Sequence, residues 1–497
     1  MNEIQKIPAP ASEPFRFSAR DWAALAMALG LALLWQDVFG LAALFSAPPL
    51  PGLGAAAATA AIWAAVLLYL GREAKWTRLN AALATGVALL ALACVIYADS
   101  AVRLINYLLI LCGSALCFFS LSGSAISPLS DVRVVTETFL LTFRALFSGW
   151  FKPFRAAAAL DFGDKKSARG VLLGLLAAIP LLSVVIALLC MADAVFASLF
   201  SGISDLLLRM DAPTAVLRLL RTLICTLIAF SAVYFLRHTP ESNAEQKKRA
   251  AASATPFVIV LALLDIVCIV FVAIQFAFLF GGAETAAMQG GYAEYARSGF
   301  FQLVKVAAIN LGCVLICAVF TGDKTVTRIM STILLALTAV ILFSALRRMQ
   351  LYTDAYGMSL LRAMTLWAMA FIAVCLLLAG LRIWRPDFKF WPFFAAVGLA
   401  GWIIFNFINI DARIADYNVD AYLGGRLEDV DIYYLSRLSP DALPALERLR
   451  DSVGGSYKGG GDSDFYLSCD LDDAINYAQS RSSESWSALS LSYVRYK

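Results

Sequence analysis

Residues 55–70 read AAAATAAIWAAVLLYL, and how that run is classified decides the fold. A transmembrane β-strand alternates lipid-facing and lumen-facing residues over ~10 positions, and this run does not alternate. With its neighbours it approaches the ~20 apolar residues that a helix needs to cross a hydrocarbon core of ~30 Å. Similar runs recur along most of the chain. Of 497 residues, 61% are hydrophobic and 15% charged, with a mean hydropathy of +0.75. A soluble domain of this length has too little interior to hide that proportion. The expectation is an all-α, polytopic transmembrane helix bundle.

Spans are expected near 22–46, 53–71, 80–97, 103–121, 170–199, 214–236, 254–281, 297–320, 328–346, 359–381 and 391–409, about 11 in all by the length criterion. The polar residues 1–21, with Lys6, Arg16 and Arg20, precede the first. That span is longer than a signal-peptide core and no A-x-A-like site follows it, so it reads as uncleaved. Lysine and arginine are retained on the cytoplasmic side of short loops. Alternating from an inner N-terminus gathers most of them on one side, including Arg72, Lys75 and Arg78, the segment 122–169 and the KKR at 247–249. The arrangement expected is N-inside and C-outside, in a bacterial cytoplasmic membrane.

Residues 130–154, SDVRVVTETFLLTFRALFSGWFKPF, gather Phe139, Phe143, Leu146, Phe147 and Trp150 on one helical face and Arg133, Glu137 and Arg144 away from it. That pattern predicts an amphipathic helix lying in the interface plane. From residue 410 onward acidic residues outnumber basic ones, which marks an extracytoplasmic tail. Within it Ser439-Pro440-Asp441 is a helix start, because proline suits the first helical position and negative charge suits the N-terminus. DALPALERLR, LDDAINYAQS and SWSALSLSYVRYK are expected helices, and the glycines of GGSYKGGGDSD predict a loop.

Chemistry is sparse. His238 is the one histidine, which removes the central residue of histidine-based zinc sites and of Ser-His-Asp catalysis. All cysteines but Cys469 fall in apolar runs, so no disulfide framework is indicated. GDSDFYLSCDLDD lacks EF-hand spacing, and no Walker A, dinucleotide fingerprint or nucleophile elbow is present. Gly170 and Gly174 form a small-residue helix contact and Pro180 a kink. No cofactor, metal, catalytic residue or nucleic-acid partner is expected, and the chain reads as a non-enzyme.

Two constellations remain. Residues 290–310, GGYAEYARSGFFQLVKVAAIN, place Arg297, Lys305 and Asn310 at the head of an apolar run, where a charge near the bilayer centre costs roughly 3 kcal/mol. Counting residues puts Asp265 ~16 Å and Lys305 ~22 Å above the inner ends of neighbouring spans. They are expected as a buried ion pair, with a proton or ion relay as the alternative. On the outer half, Arg218, Arg221, Tyr295, Arg297, Arg347, Arg348, Tyr352, Tyr356 and Arg362 are expected as one electropositive collar. The acidic tail would dock on it by charge complementarity, or the collar would hold an anionic lipid headgroup or small anion, which suits arginine's planar fork.

The stretches LLDIVCIVFVAIQFAFLFGG, YARSGFFQL, RRMQLYTDAYGMSLLR, DYNVD and LSPDALPAL resemble a family of bacterial multi-spanning membrane proteins catalogued as domain of unknown function 4173, related to 4153. The resemblance runs from about residue 250 to the end of the chain. It implies membrane location and architecture, and a shared unit of Tyr295, Arg297, Tyr352, Tyr356 and Arg362, with no catalytic residue. Three functions are compatible with this reading: first an envelope sensor or assembly component, then a transporter or channel for a small or anionic solute, then a transferase acting on a lipid-linked substrate.

Overall fold

The computed structural model describes residues 17–38, 51–125, 127–158, 185, 212–239, 255–280, 300–320, 325–453, 458–459, 469–480 and 491. Helices within the apolar region are α1 (Ala19–Val38), α2 (Leu53–Leu70), α3 (Arg78–Ile96), α4 (Ser100–Ser122), α5 (Arg133–Ser148), α6 (Lys152–Ala158), α7 (Ala212–His238), α8 (Thr255–Phe280), α9 (Phe300–Phe320), α10 (Thr325–Tyr356), α11 (Leu360–Trp384) and α12 (Phe390–Phe407). Among the described residues nine of these are long and apolar enough to cross a membrane: α2, α3, α4 and α7 to α12. The expected span 170–199 lies outside the described residues, as does the end of 22–46 beyond Val38.

The bundle is apolar outside as well as within, with a few polar side chains turned inward. Leu68, Leu111, Val267 and Leu377 are more than 60% exposed, while Asn106, Asn310 and Thr338 are buried, the pattern expected where lipid replaces water outside. α1 packs on α7, and α7 also on α5; α8 and α9 both pack on α10. α12 bridges α11 and α3, where a Cβ on Gly86 would come within 2.5 Å of Leu399. A larger residue there would push the Leu399 side chain aside.

Helix ends follow local chemistry. Thr77 caps α3 by accepting the Asn80 N–H, and Asp99 caps α4 by accepting the Val102 N–H at 2.9 Å; such caps satisfy amides the helix leaves open. Gly123, left-handed, closes α4. At the end holding residues 18–21, 71–77 and 237–239, Asp21 accepts from the Ser18 amide (2.9 Å), the Ser18 hydroxyl (2.7 Å) and the Tyr69 hydroxyl (2.8 Å). Arg237 donates to Glu73 there, with Arg20 alongside.

The segment expected to lie in the interface forms α5, shorter than 130–154 at both ends. It buries Val134, Thr138 and Ala145 against α7, where the Ser231 hydroxyl donates to the Ala145 carbonyl and accepts the Gly149 N–H. Phe139, Phe143 and Phe147 face outward.

α10 runs ten residues past the expected span end at 346. Its 32 residues make ~48 Å, more than a bilayer core requires. The overhang, Arg347 to Tyr356, is helix where a loop was expected, and Asp354 on it accepts from Tyr417 of the tail.

That tail forms α13 (Ile410–Leu423), α14 (Ile432–Ser436), α15 (Leu443–Val453) and α16 (Leu471–Ser480), with a two-residue antiparallel pairing of Lys458–Gly459 and Cys469–Asp470. It closes its own apolar core around Ile414, Val419, Ile432, Leu446, Leu449, Leu471 and Ile475. The helix start at Ser439-Pro440 appears as a 3₁₀ turn, Pro440–Ala442, leading into α15. Residues 485–497, expected as a helix, lie outside the described residues apart from Leu491.

Candidate functional site

Where α3, α4, α12 and the tail meet, buried polar side chains converge on a cavity of about 20 Å³ lined by Tyr97, Asp99, Arg103, Asn106, Asn406, Asn409, Asp411 and Ser439, among others. That is room for one water-sized group. Asp99 arrives as the α4 cap. Arg103, 1% exposed, sits one turn along and wraps back so that Nε and Nη2 donate to the Tyr97 carbonyl at 3.0 and 2.7 Å. A further turn on, Asn106 donates to Asn406 Oδ1 at 2.6 Å and accepts from the Trp402 indole at 2.8 Å, which locks α4 to α12.

α12 ends at Phe407, and Asn409 takes a left-handed φ of 57°, the only non-glycine to do so among the described residues. Asparagine tolerates that region better than most residues. The bend starts α13 and swings Asp411 into the cavity, where Oδ2 accepts the Ser439 amide at 2.9 Å while Oδ1 has no partner. Burial, and then the neighbouring Asp99 carboxyl, push the Asp411 carboxyl well above the ordinary carboxylate range; the Ser439 amide opposes them only partly. Asp99 and Asp411 line the same cavity, and a second carboxyl this close disfavours the ionised form of Asp411.

The tail is clamped at a second place. The turn after α10 places Gly357 at φ +74°, with a Cβ there 2.5 Å from Asn418 Oδ1. Asn418 reads that turn by accepting the Met358 N–H (2.5 Å) and donating to the Met358 carbonyl (2.8 Å). The Tyr434 hydroxyl accepts the Leu360 N–H at 2.9 Å, and burial pushes that phenol up to about 12. The Tyr417 hydroxyl donates to Asp354 at 3.1 Å.

The expected sites fare unevenly. Asp265 is buried with both carboxyl oxygens unpartnered, whereas Lys305 is exposed, so the expected ion pair is not formed. Phe257 stacks on Phe320 and Asn310 reaches Cys268, a register that sets Lys305 about 10 Å further along the bundle than Asp265, and the two differ in azimuth as well. α9 buries Leu303, Ala307, Asn310, Val314 and Cys317, and Lys305 lies off that stripe, near the helix end, where a lysine can extend toward the interface. Asn310 is the polar residue of that helix that points inward, donating to Thr338 Oγ1 at 3.0 Å.

The collar divides. Tyr295 and Arg297 lie outside the described residues. Arg218 and Arg221 are on α7, in the group built with α1 and α5, away from α10 and α11. Exposed Arg347 donates to Gln350, and Arg348, buried, donates to Gln275 Oε1 at 2.9 Å. Arg362, Tyr352 and Tyr356 do come together: the guanidinium lies 4.1 Å from the Tyr352 ring centre and donates to the Tyr356 and Gly357 carbonyls. Asp416 and Asp420 of the tail pair with Arg448 inside the tail. Docking is therefore made chiefly by neutral hydrogen bonds and the acid pair, where charge complementarity with a collar was expected.

Sequence reasoning passed over Asp99, Asn106, Asn406, Asn409 and Asp411. A signal was available: asparagines at 406 and 409 and an aspartate at 411 close an otherwise apolar span, and polar groups at a membrane helix end need partners.

Long apolar helices, an apolar exterior and polar residues turned inward define a multi-pass helical membrane protein. The chain belongs to the family Domain of unknown function (DUF4153), whose model matches residues 58–449, the second of the two related families named by the resemblance. No curated protein and no solved structure matches the chain.

Proposed function

We propose that this protein is a non-enzymatic sensor or assembly component of a bacterial envelope, set in the cytoplasmic membrane with its N-terminus inside and its tail outside. Orientation rests on the cations: Arg72, Lys75, Arg78, Arg237, Arg382, Arg385 and Lys389 lie at the end opposite the tail, and that end is the inner one by the positive-inside rule. α5 lies at the inner interface, its phenylalanines in contact with lipid.

One observation carries the sensing role: a unit with its own core meets the bundle where the buried Asp411 carboxyl faces Asp99, and the proton occupancy of Asp411 depends on the solution outside. Loss of that proton places two like charges in one cavity and loosens the unit, presenting it to a partner. The test is amide exchange of α13–α16 in the full chain in nanodiscs. Exchange is expected to rise severalfold from pH 6 to pH 9 in the native chain and to stay flat in Asp99→Asn/Asp411→Asn. A native chain with pH-independent protection, after correction for intrinsic exchange, would discard the sensing role. A reporter fused after residue 497 should be active only outside the cytoplasm, and the reverse would overturn the orientation.

A further inference from the structure

Along α8 the buried positions are Leu261, Asp265, Cys268, Val272 and Gln275, spaced four and three apart in turn, which is the seam spacing of closely packed helices. Asp265 therefore points into the contact with α10. Two layers fix the register of that contact. Asn310 reaches both Cys268 Sγ (3.5 Å) and Thr338 Oγ1 (3.0 Å). One heptad further along both helices, Gln275 Oε1 accepts from the Ser344 hydroxyl (3.0 Å) and from Arg348. Interpolation sets Asp265 level with Leu334 and Leu335, both buried, one turn from the Asn310–Thr338 layer.

Every charged group on the described helices packed against α8 is accounted for elsewhere. On α10, Arg328 lies over the Trp384 ring, Arg347 meets Gln350, Arg348 meets Gln275 and Asp354 meets Tyr417; on α9, Lys305 is exposed. An ionised carboxylate with two unpartnered oxygens inside a membrane bundle would carry a penalty of several kcal/mol. A metal ion does not remove it, because hard cations require about six or more oxygen ligands, and the leucine level adds none to the carboxyl's own two. A hydrogen ion needs only one oxygen.

We propose that Asp265 is an intramembrane proton-binding site, occupied at neutral pH. The proton is taken from water when the chain folds and returns to water when Asp265 is exposed. The neutral acid then costs only its unmade hydrogen bonds.

The test uses the full chain in nanodiscs with Asp411→Asn in every sample, so that the acid pair at the tail contributes nothing. Infrared spectra at pH 7 should show the carbonyl stretch of a protonated carboxylic acid that is lost in Asp265→Asn, and a band unchanged by that substitution would overturn the proposal. Unfolding by sodium dodecyl sulfate in weakly buffered solution at pH 7 should release about one proton more from the Asp265 chain than from Asp265→Asn. Equal release would overturn the proposal as well. Asp265→Leu should unfold no more readily than the parent; marked destabilisation would show that the carboxylate is ionised and paired.

Discussion

Asp21 and Asp411 are equally buried, each 3% exposed, and each stands in the first turn of a helix, yet they are held in opposite ways. Burial alone would raise both. Around Asp21 the Ser18 and Tyr69 hydroxyls and the Ser18 amide outweigh it, with His238 Nε2 3.9 Å away, and hold the carboxyl below its usual range. Around Asp411 one amide faces a second carboxyl, and the balance goes the other way. A buried aspartate becomes a fixed anion or a proton carrier according to the donors aimed at it. In the proposed orientation the Asp21 site is the inner joint, built as the first kind, and the Asp411 site is the outer joint, built as the second.

The largest expected effect would break that contrast at its fixed end. Asp21→Asn keeps the shape but turns an amide toward the Ser18 N–H, and loses the charge that Ser18 and Tyr69 serve. A loss of about 2–4 kcal/mol is expected, read as thermal unfolding of the full chain in nanodiscs. A loss below about 0.5 kcal/mol would mean the inner cluster is ornamental.

Opposite pH windows should accompany the opposite shifts. A lowered folded value stabilises above the ordinary carboxylate value of ~4 and is lost as pH falls through the folded value. The inner joint should therefore loosen in acid. A raised folded value stabilises below ~4 and is lost as pH rises through the folded value, so the outer joint should loosen toward alkaline pH. Site-resolved exchange of α1 and α13 across pH 4 to 9 reads both, and parallel responses would contradict the distinction.

Whether the outer joint depends on its acids or on its neutral clamp is settled by Asn418→Ala. This substitution strands the Met358 N–H and carbonyl at a turn where Gly357 admits no bulk. A cost of about 2 kcal/mol to tail docking is expected at every pH. Asp411→Asn should instead raise docking stability by roughly 1 kcal/mol at alkaline pH and leave it unchanged in acid. If Asn418→Ala acquires the pH dependence and Asp411→Asn lacks it, the roles are exchanged.

The division between legible and illegible features follows from what periodicity encodes. Run length and polarity gave α2, α3, α4 and α7 to α12, and the helices α15 and α16, because burial in lipid or in a small core is written into each segment separately. Partners across the bundle are not. Counted along the chain, Arg218 and Arg362 fall in one outer layer, yet their helices pack in different groups, and Lys305 both lies about 10 Å further along the bundle than Asp265 and points away from it. Azimuth was partly available, since the four-and-three spacing through Leu303, Ala307, Asn310 and Val314 already turns Lys305 away. The Asp99–Asp411 contact joins residues more than three hundred positions apart and had no local signature beyond the polar closing of α12.

The smallest expected effect concerns how Asp411 is aimed. α1 begins with Ser18 and Asp21 bonded to each other, whereas α13 begins at Asn409, which makes no capping bond and spends its left-handed φ on turning the chain into the cavity. Asn409→Gly keeps that turn without a side chain and should change stability by less than about 0.5 kcal/mol. Asn409→Ala meets the left-handed penalty and should cost about 1 kcal/mol. If the bend is what seats Asp411 beside Asp99, the alanine variant should also shift the alkaline loosening of the tail to a different pH, while the glycine variant keeps it. Identical pH profiles in both would mean that the Ser439 amide alone positions the acid, and that the bend serves only to connect bundle and tail.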